Sequence, residues 1–378
     1  MIYNIFKHKI LTVPVIIFIT LGIVSAVIWR MSIVYVQVAD FFTGTVSFAL
    51  RFILTQATKF LPFSLAEIML LFIAAPLLIL LTVIFVIKII RAKKRGTTKL
   101  AVILGGFFRI AAFGGFVMFI FTFTLGVCYG KTPVNELMDF ERRLLSVEDL
   151  SAALEILVDE INIIADNINY TETESTEMPY NLRELNRKLN EAYKNMLDEY
   201  DLFTRINSRV KPAVFISEIM SGMHITGVYS FFTGEANVNI DFPDFNLPFV
   251  AAHEMAHLMG VGREDEANFA AFLVCLYSGD DYIRYSGLIN MSQYIGSALL
   301  KENQDKYFEI MVNMPAVVWN EWAAYSRFFD KYRDTKISQV ASAANNAYLR
   351  AQGQEQGVKS YGFVVDLSVA YLLDLYYK

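Results

Sequence analysis

The sequence predicts a mainly α protein, in which N-terminal transmembrane helices are followed by an α+β domain with a small sheet and a helical C-terminal part. Three observations predict it. Three apolar, charge-poor stretches occupy the first third of the chain. A short cluster of β-branched and aromatic runs, divided by glycines, follows Lys211. Helical periodicity dominates nearly everything else. Composition agrees, since hydrophobic residues make up 55% of the 378 and charged residues 19%, against about a quarter charged in ordinary soluble domains.

The apolar stretches lie at about 10–29, 68–87 and 101–127, and each approaches the roughly 20 residues that a bilayer requires. They define a membrane domain over 1–130 and leave 131–378 as the following domain. Lys7 and Lys9 precede the first stretch. Its length, and the lack of a small-residue cleavage site after Trp29 and Arg30, mark a retained helix and not a signal peptide. Between the second and third stretches cluster Lys88, Arg91, Lys93, Lys94, Arg95 and Lys99. Positive loops stay cytoplasmic, so the N-terminus is expected inside a bacterial cell membrane and the domain after Cys128 on its extracytoplasmic face. The loop from Arg30 to Glu67 is apolar but interrupted by Asp40, Arg51 and Lys59. It reads as an interfacial amphipathic helix with Phe41, Phe48 and Phe52 facing lipid.

The formal charge of -5, without a long basic run in the C-terminal two thirds, excludes the electrostatic footprint of a nucleic-acid binder. Cys128 and Cys275 are too few for a disulfide framework and read as reduced packing residues.

In the following domain, Leu150, Leu154, Leu157, Val158, Ile161 and Ile164 recur at helical spacing, with Ser146 available as N-cap. A second helix is expected from Asn181 to about Tyr200. The runs 212–217, 228–232 and 236–240 are divided by Gly222, Gly227 and Gly234 and predict the small sheet. A helix then begins near Leu247, with Asn246 as its cap and Pro248 at an early position. Helices are expected after it over 264–277, 281–300, 315–332, 337–351 and 364–376.

The helix from Leu247 carries His253-Glu254-Met255-Ala256-His257, two of the four histidines in the chain beside His8 and His224. Histidines four apart project from one helix face about a turn apart, the spacing at which two imidazoles hold one metal ion. Glu254 stands where it reaches a water on that ion as general base without being a ligand. A bound zinc would lower the pKa of this water toward about 7 and polarise a carbonyl. A third ligand is required. Gly260 and Gly262 break the helix, and Arg263-Glu264-Asp265-Glu266-Ala267-Asn268 opens the next. Glu264 is the expected third ligand, Glu266 the alternative and Asp265 a weaker one. Asn268, four residues beyond Glu264, is placed to orient a ligand by a hydrogen bond.

His-Glu-x-x-His followed by a second helix with Glu-x-x-Ala-Asn resembles the gluzincin branch of the zincin metallopeptidases. With three N-terminal membrane helices, and the runs Thr233-Gly234-Glu235-Ala236-Asn237-Val238-Asn239 and Glu264-Asp265-Glu266-Ala267-Asn268-Phe269, the chain also resembles an uncharacterised bacterial family of predicted membrane metallopeptidases. The resemblance implies a zincin-like fold, zinc, and ligation by two histidines and a glutamate of the next helix. One departure is Asn268, where gluzincins often carry aspartate. Arg263 occupies the place of the third metzincin histidine, so that group does not fit. Zincins bind extended substrate along an edge strand, and Glu235 to Ile240 is placed to resemble it, with Asn237 and Asn239 as substrate contacts. Tyr285 and His224 lead the candidates for a transition-state donor, with Arg284, Tyr229 and Tyr361 behind them.

The expected function is zinc-dependent hydrolysis of peptide bonds in a peptide or protein, by an enzyme held in the lipid bilayer with Zn2+ as cofactor. The alternative is a catalytically inactive, zinc-stabilised binding or sensor domain at the membrane surface. Intramembrane proteolysis does not fit, because Asp241, Asp244 and Arg263 to Glu266 bracket the histidines too closely for a spanning helix.

Overall fold

A computed structural model describes residues 11–140, 142, 144–170 and 175–377, apart from the side chains at 95, 358, 360, 361 and 377. Lys7, His8, Lys9, Ile10 and the side chains of Arg95 and Tyr361 lie outside the described residues. The protein is mainly α with one small sheet, as its sequence predicts.

Among the described residues, four helices are long and apolar enough to cross a membrane: α1 (Val13–Val34), α2 (Val36–Thr58), α3 (Leu65–Ile90) and α4 (Lys99–Thr124). Three of them match the expected spans. α1 and α4 pack closely because both carry glycine at their crossing. A Cβ on Gly22 would stand 2.3 Å from the Gly115 Cα, and one on Gly115 would stand 2.1 Å from the Phe18 carbonyl oxygen.

α2 occupies the stretch expected to be interfacial, and its contacts explain the charges that interrupt it. Asp40, Ser47, Arg51, Thr55 and Thr58 form one polar stripe that meets the C-terminal domain and its approach along the helix length. Asp40 accepts from the Thr132 N–H at 2.9 Å. The Arg51 guanidinium reaches Ser47 and the Cys128 sulfur, the latter at 3.1 Å. Thr55 donates to the Gly234 carbonyl at 3.0 Å, and the Lys211 ammonium donates to the Thr58 carbonyl at 2.8 Å. Phe41 and Phe52 are exposed, whereas Phe48, expected to face lipid, is half-buried against the domain core.

The first turn of α3 is tied to the sheet by two buried carboxylates. Glu67 accepts from the N–H groups of Val214, Phe215 and Ile216 at 3.2, 2.5 and 2.8 Å. Glu235, ion-paired with Lys211, accepts from those of Leu65 and Ala66 at 3.1 and 2.8 Å.

The domain opens with α5 (Val147–Ala165), capped reciprocally by Ser146 and Asp149, and α6 (Leu182–Glu199). Next come β1 (Val210–Pro212), α7 (Ser217–Gly222), β2 (Gly227–Ser230) and β3 (Glu235–Val238). Sheet order is β1-β3-β2, with β1 parallel and β2 antiparallel to β3. The first strand ends earlier than expected. Glu67 collects the amides of 214–216, which removes them from any ladder and leads the chain into α7. α8 (Leu247–Leu258) begins as expected, but Asn246 does not cap it. Its backbone is already helical, continuing a 3-10 turn over Asp244–Asn246.

α9 (Glu264–Leu276), α10 (Asp281–Glu302), α11 (Gln304–Met311), α12 (Ala316–Asp330), α13 (Lys336–Ala351) and α14 (Val364–Tyr377) complete the chain. Of these only α11 is unforeseen. The core lies where α5, α8, α9 and α10 meet, around residues such as Leu154, Leu157, Ala252, Phe272 and Ile289.

α12 carries a buried acid whose ionisation opposes folding. Glu321 accepts from the Thr176 N–H at 2.8 Å through one oxygen, and its other oxygen is unpartnered. Burial raises its pKa from 4.5 to about 7 against the lowering effect of Thr176. The folded state therefore binds this proton more tightly than the unfolded state. The resulting stabilisation is complete below pH 4.5 and is lost as pH rises through 7. Glu321→Gln is expected to stabilise the protein at about pH 8 by about 1–3 kcal/mol and to flatten the pH dependence of its thermal midpoint. A midpoint with the same pH dependence as wild type would assign that dependence to other groups.

Candidate metal centre

The turn between α8 and α9 has to be built from glycine. Gly260 has φ +96°, in the left-handed region, and a Cβ there would meet an Arg51 guanidinium nitrogen at 2.6 Å. A Cβ on Gly262 would stand 2.6 Å from the backbone of Cys128 and Tyr129. The turn thus packs against α2 and the exit of α4, and α9 starts at Glu264 with Arg263 extended at the N-cap. Arg263 fixes this entry by donating to the Tyr129 carbonyl at 3.1 Å and to the Lys131 carbonyl at 2.5 Å.

His253 and His257 project from α8 toward Glu264. Their Nε2 atoms are 3.0 Å apart, and Glu264 Oε2 lies 3.3 Å from the first and 3.4 Å from the second. The other ring nitrogens are both engaged. His253 Nδ1 lies 2.8 Å from Asn268 Oδ1, and His257 Nδ1 lies 2.7 Å from the Val261 carbonyl oxygen. A proton on each Nδ1 satisfies those oxygens and leaves both Nε2 lone pairs aimed at one point beside the carboxylate. Zinc bonds of about 2.0–2.2 Å at tetrahedral angles separate ligand atoms by roughly 3.3–3.6 Å. The observed triangle is close to that size, and its donor set of two imidazoles and one carboxylate suits zinc.

The charges of the cluster are coupled to one another. Burial disfavours a charged His257, yet the adjacent Glu264 carboxylate outweighs it and raises the pKa to about 9. Burial likewise disfavours ionised Glu264, but the two imidazoles hold its carboxyl far below the ordinary range.

Glu254 lies beside this triangle against β2. Hydrogen-bonded pairs alternate along an antiparallel ladder. The bond from the Asn239 N–H to the Thr226 carbonyl, at 2.9 Å, sets the phase so that Gly227 and Tyr229 turn their polar backbone groups outward. The Tyr229 N–H donates to Glu254, whose second oxygen is buried and unpartnered. Burial raises the Glu254 pKa against the lowering effect of the two histidines. An orphaned carboxylate oxygen beside three convergent donors marks a place for a polar ligand such as water.

Of the predicted residues, the structure gathers His253, Glu254, His257, Glu264 and Asn268. The other two acids of α9 point elsewhere. Asp265 pairs with Arg142 at 2.7 Å. Glu266 accepts from the Val134 N–H at 3.0 Å and pairs with Arg263 at 2.5 Å. Glu235 to Ile240 does not offer an edge, because β3 is the central strand, and β2 holds the free edge beside Glu254.

Asn237 and Asn239 are buried and cannot face a substrate in this arrangement. Asn237 donates to the Val228 and Glu235 carbonyls, and Asn239 holds Ser221, the Ile225 carbonyl and the Asp241 N–H. Tyr285 is buried with its hydroxyl 3.4 Å from that of Tyr170, and Arg284 bonds Glu160 at 3.1 Å. His224 stacks on Phe329. None of these three contacts the cluster among the described residues. Tyr229 reaches Glu254 through its backbone amide and not its hydroxyl.

Tyr294 of α10 was not foreseen. Its hydroxyl accepts from Asn268 Nδ2 at 3.4 Å, and burial together with the nearby Glu264 charge raises its pKa to about 12. Tyr193 of α6 also supports the site by donating to the Ala252 carbonyl at 2.6 Å. Both come from helices distant in sequence, so local spacing carried no signal for either.

Residues 42–369 match a family model described as "Protein of unknown function (DUF3810)". No curated protein and no solved structure matches the chain. The match takes in most of the chain, from within α2 into α14, and includes every residue of the cluster: the protein belongs to the DUF3810 family.

Proposed function

We propose that this protein is a membrane-anchored zinc metallopeptidase, gluzincin-like in its ligand set. The carrying observation is the convergence of His253 Nε2, His257 Nε2 and a Glu264 carboxylate oxygen within 4.8 Å of one another, with both Nδ1 atoms committed to oxygen partners. When bound, the ion supplies Lewis acidity, polarising a carbonyl and making a water nucleophilic at neutral pH. Glu254 takes the proton of that water on its unpartnered oxygen while the Tyr229 amide holds the other, and then passes the proton to the leaving amine. The outward N–H and carbonyl of Gly227 and the outward carbonyl of Tyr229, whose N–H is kept by Glu254, pair with an extended peptide and present its carbonyl beside the cluster. Asn268, steadied by Tyr294, fixes the His253 ring.

The proposed setting is a bacterial cell membrane with the N-terminus cytoplasmic and the domain outside. α3 begins and α4 ends against the domain, and each has 26 residues, roughly 39 Å at helical rise. The basic loop from Lys88 to Lys99 then sits at the far ends of both. Docking of α2 along the domain supports three crossings, with α2 lying at the interface.

The test is metal analysis of the full-length protein in detergent, coupled to a peptide-library cleavage assay. One zinc per chain and cleavage lost to a chelator and restored by zinc are expected. Zinc without cleavage would favour the non-catalytic binding or sensor domain, and absence of zinc would overturn the reading.

Gly227 offers a finer test of the base. A Cβ there would stand 2.5 Å from Glu254 Oε1 and 2.6 Å from its Cγ, so Gly227→Ala must push the carboxylate aside. It is expected to lower kcat on the order of 10²-fold with zinc content unchanged. Unaltered kcat would show that Glu254 tolerates displacement and weaken its role.

A further inference from the structure

A groove of about 540 Å³ lies between α6, the segment 205–209 and the end of α2, away from the metal cluster. Lys59, Arg183, Arg187, Lys194, Arg205 and Arg209 line it, against a single acid, Glu191, in a chain of net charge -5. Arg187 is paired with Glu184 and Glu191, and Lys59 bonds Gln56. Arg183, Lys194, Arg205 and Arg209 have no carboxylate within 4.0 Å among the described residues. Ser208, also in the lining, is 4% exposed and its hydroxyl has no partner.

The groove is braced. Asn186 holds the backbone of Val210 through both its N–H and its carbonyl, at 2.6 and 3.0 Å. Asn190 does the same for Ser208, at 3.1 and 2.8 Å. Arg205 and Arg209 are therefore carried on a segment clamped to the helix that bears Arg183 and Lys194. A bond from Gln56 to the Asn207 carbonyl at 3.3 Å ties that segment to α2.

The groove lies beside the start of α3, a helix long and apolar enough to cross a membrane. Lys59 and Phe60 follow directly on α2, and α3 begins at Leu65. Phe60 is 76% exposed at the groove beside the Lys59 ammonium. A basic, braced groove flanked by an exposed aromatic ring at the start of a span matches an amphiphile with an anionic head. Guanidinium and ammonium groups would take the phosphate oxygens, and Phe60 and α3 would meet the acyl chains.

We propose that this groove binds the phosphate-bearing headgroup of an anionic glycerophospholipid from the leaflet on the domain side. The assignment is independent of the peptidase reading. The test uses full-length protein in neutral detergent, with dihexanoyl phosphatidylglycerol, dihexanoyl phosphatidylcholine and inorganic phosphate as probes, and bound species read by native mass spectrometry. Phosphatidylglycerol is expected to be retained in preference to phosphatidylcholine. Arg205→Ala/Arg209→Ala should weaken that retention roughly tenfold or more with an unchanged thermal midpoint, and Arg205→Lys/Arg209→Lys should restore part of it. Lys194→Ala, on the exposed side of α6, should act in the same direction without touching the clamped segment. Equal retention of the two lipids, retention insensitive to all three variants, or capture of inorganic phosphate with no lipid retained would each overturn the proposal.

Discussion

Glu254→Gln is expected to leave the protein folded and its zinc content unchanged while peptide hydrolysis falls by on the order of 10²–10⁴-fold. The substitution nearly preserves shape, and the retained carbonyl oxygen still accepts from the Tyr229 amide. What it removes is the proton acceptor. In wild type the second Glu254 oxygen is buried and has no partner, so it is free to receive a proton from a water brought to the cluster. In the variant an amide N–H₂ occupies that place and offers hydrogens where one must be taken up. Because Glu254 binds neither the histidines nor Glu264 in the observed network, metal affinity has no reason to change. The effect belongs in kcat, with KM nearly unaltered, since the lost interaction arises only as the water is deprotonated. Zinc content and steady-state kinetics on a cleaved library peptide measure both quantities together. Full activity with zinc in place would move the base to another residue.

The central part of this site was legible because it is local. His253 and His257 share a helix face by spacing alone, and the glycine break confines the next ligand to the first turn of α9. Asn268 follows from the same periodicity, four positions beyond Glu264. Where partners come from distant segments, spacing was silent. Tyr294 reaches Asn268 from α10, and Tyr193 reaches Ala252 from α6. The sheet misled for a related reason. A three-residue strand at Val210–Pro212 pairs on the far side of β3, opposite Asn237, which turns the expected edge strand into the central one. The polar interruptions of α2 were visible in the sequence, but the domain surface that satisfies them was not.

Glu264→Ala and Glu266→Ala are expected to fail in opposite ways, and the contrast identifies the third ligand. Consecutive residues on a helix diverge by about 100°, so the three acids of the α9 first turn cannot share a target. Glu264 faces the histidines, Asp265 faces Arg142, and Glu266 meets Val134 and Arg263. Removing the Glu264 carboxylate takes away one of three protein donors. Zinc affinity should fall by more than the roughly 10–100-fold that loss of an outer hydrogen bond costs, a scale that Asn268→Ala can supply in the same assay. Folding should suffer less than with Glu266, because the imidazoles left behind can stay neutral with each Nδ1 still bonded to its oxygen partner. Glu266 is fully buried, and its loss leaves the Val134 amide without its acceptor and the Arg263 guanidinium without its carboxylate, though still bonded to the Tyr129 and Lys131 carbonyls. Leaving a buried donor unsatisfied costs about 1–3 kcal/mol, so Glu266→Ala should melt at lower temperature while the folded fraction still binds one zinc. Chelator competition for affinity and thermal denaturation for stability separate the two. If Glu266→Ala lost zinc from folded protein while Glu264→Ala kept it, the ligand set would have to be redrawn around Glu266. That exchange would require the Arg263 contact to open, since the carboxylate cannot serve the guanidinium and the histidines from one rotamer.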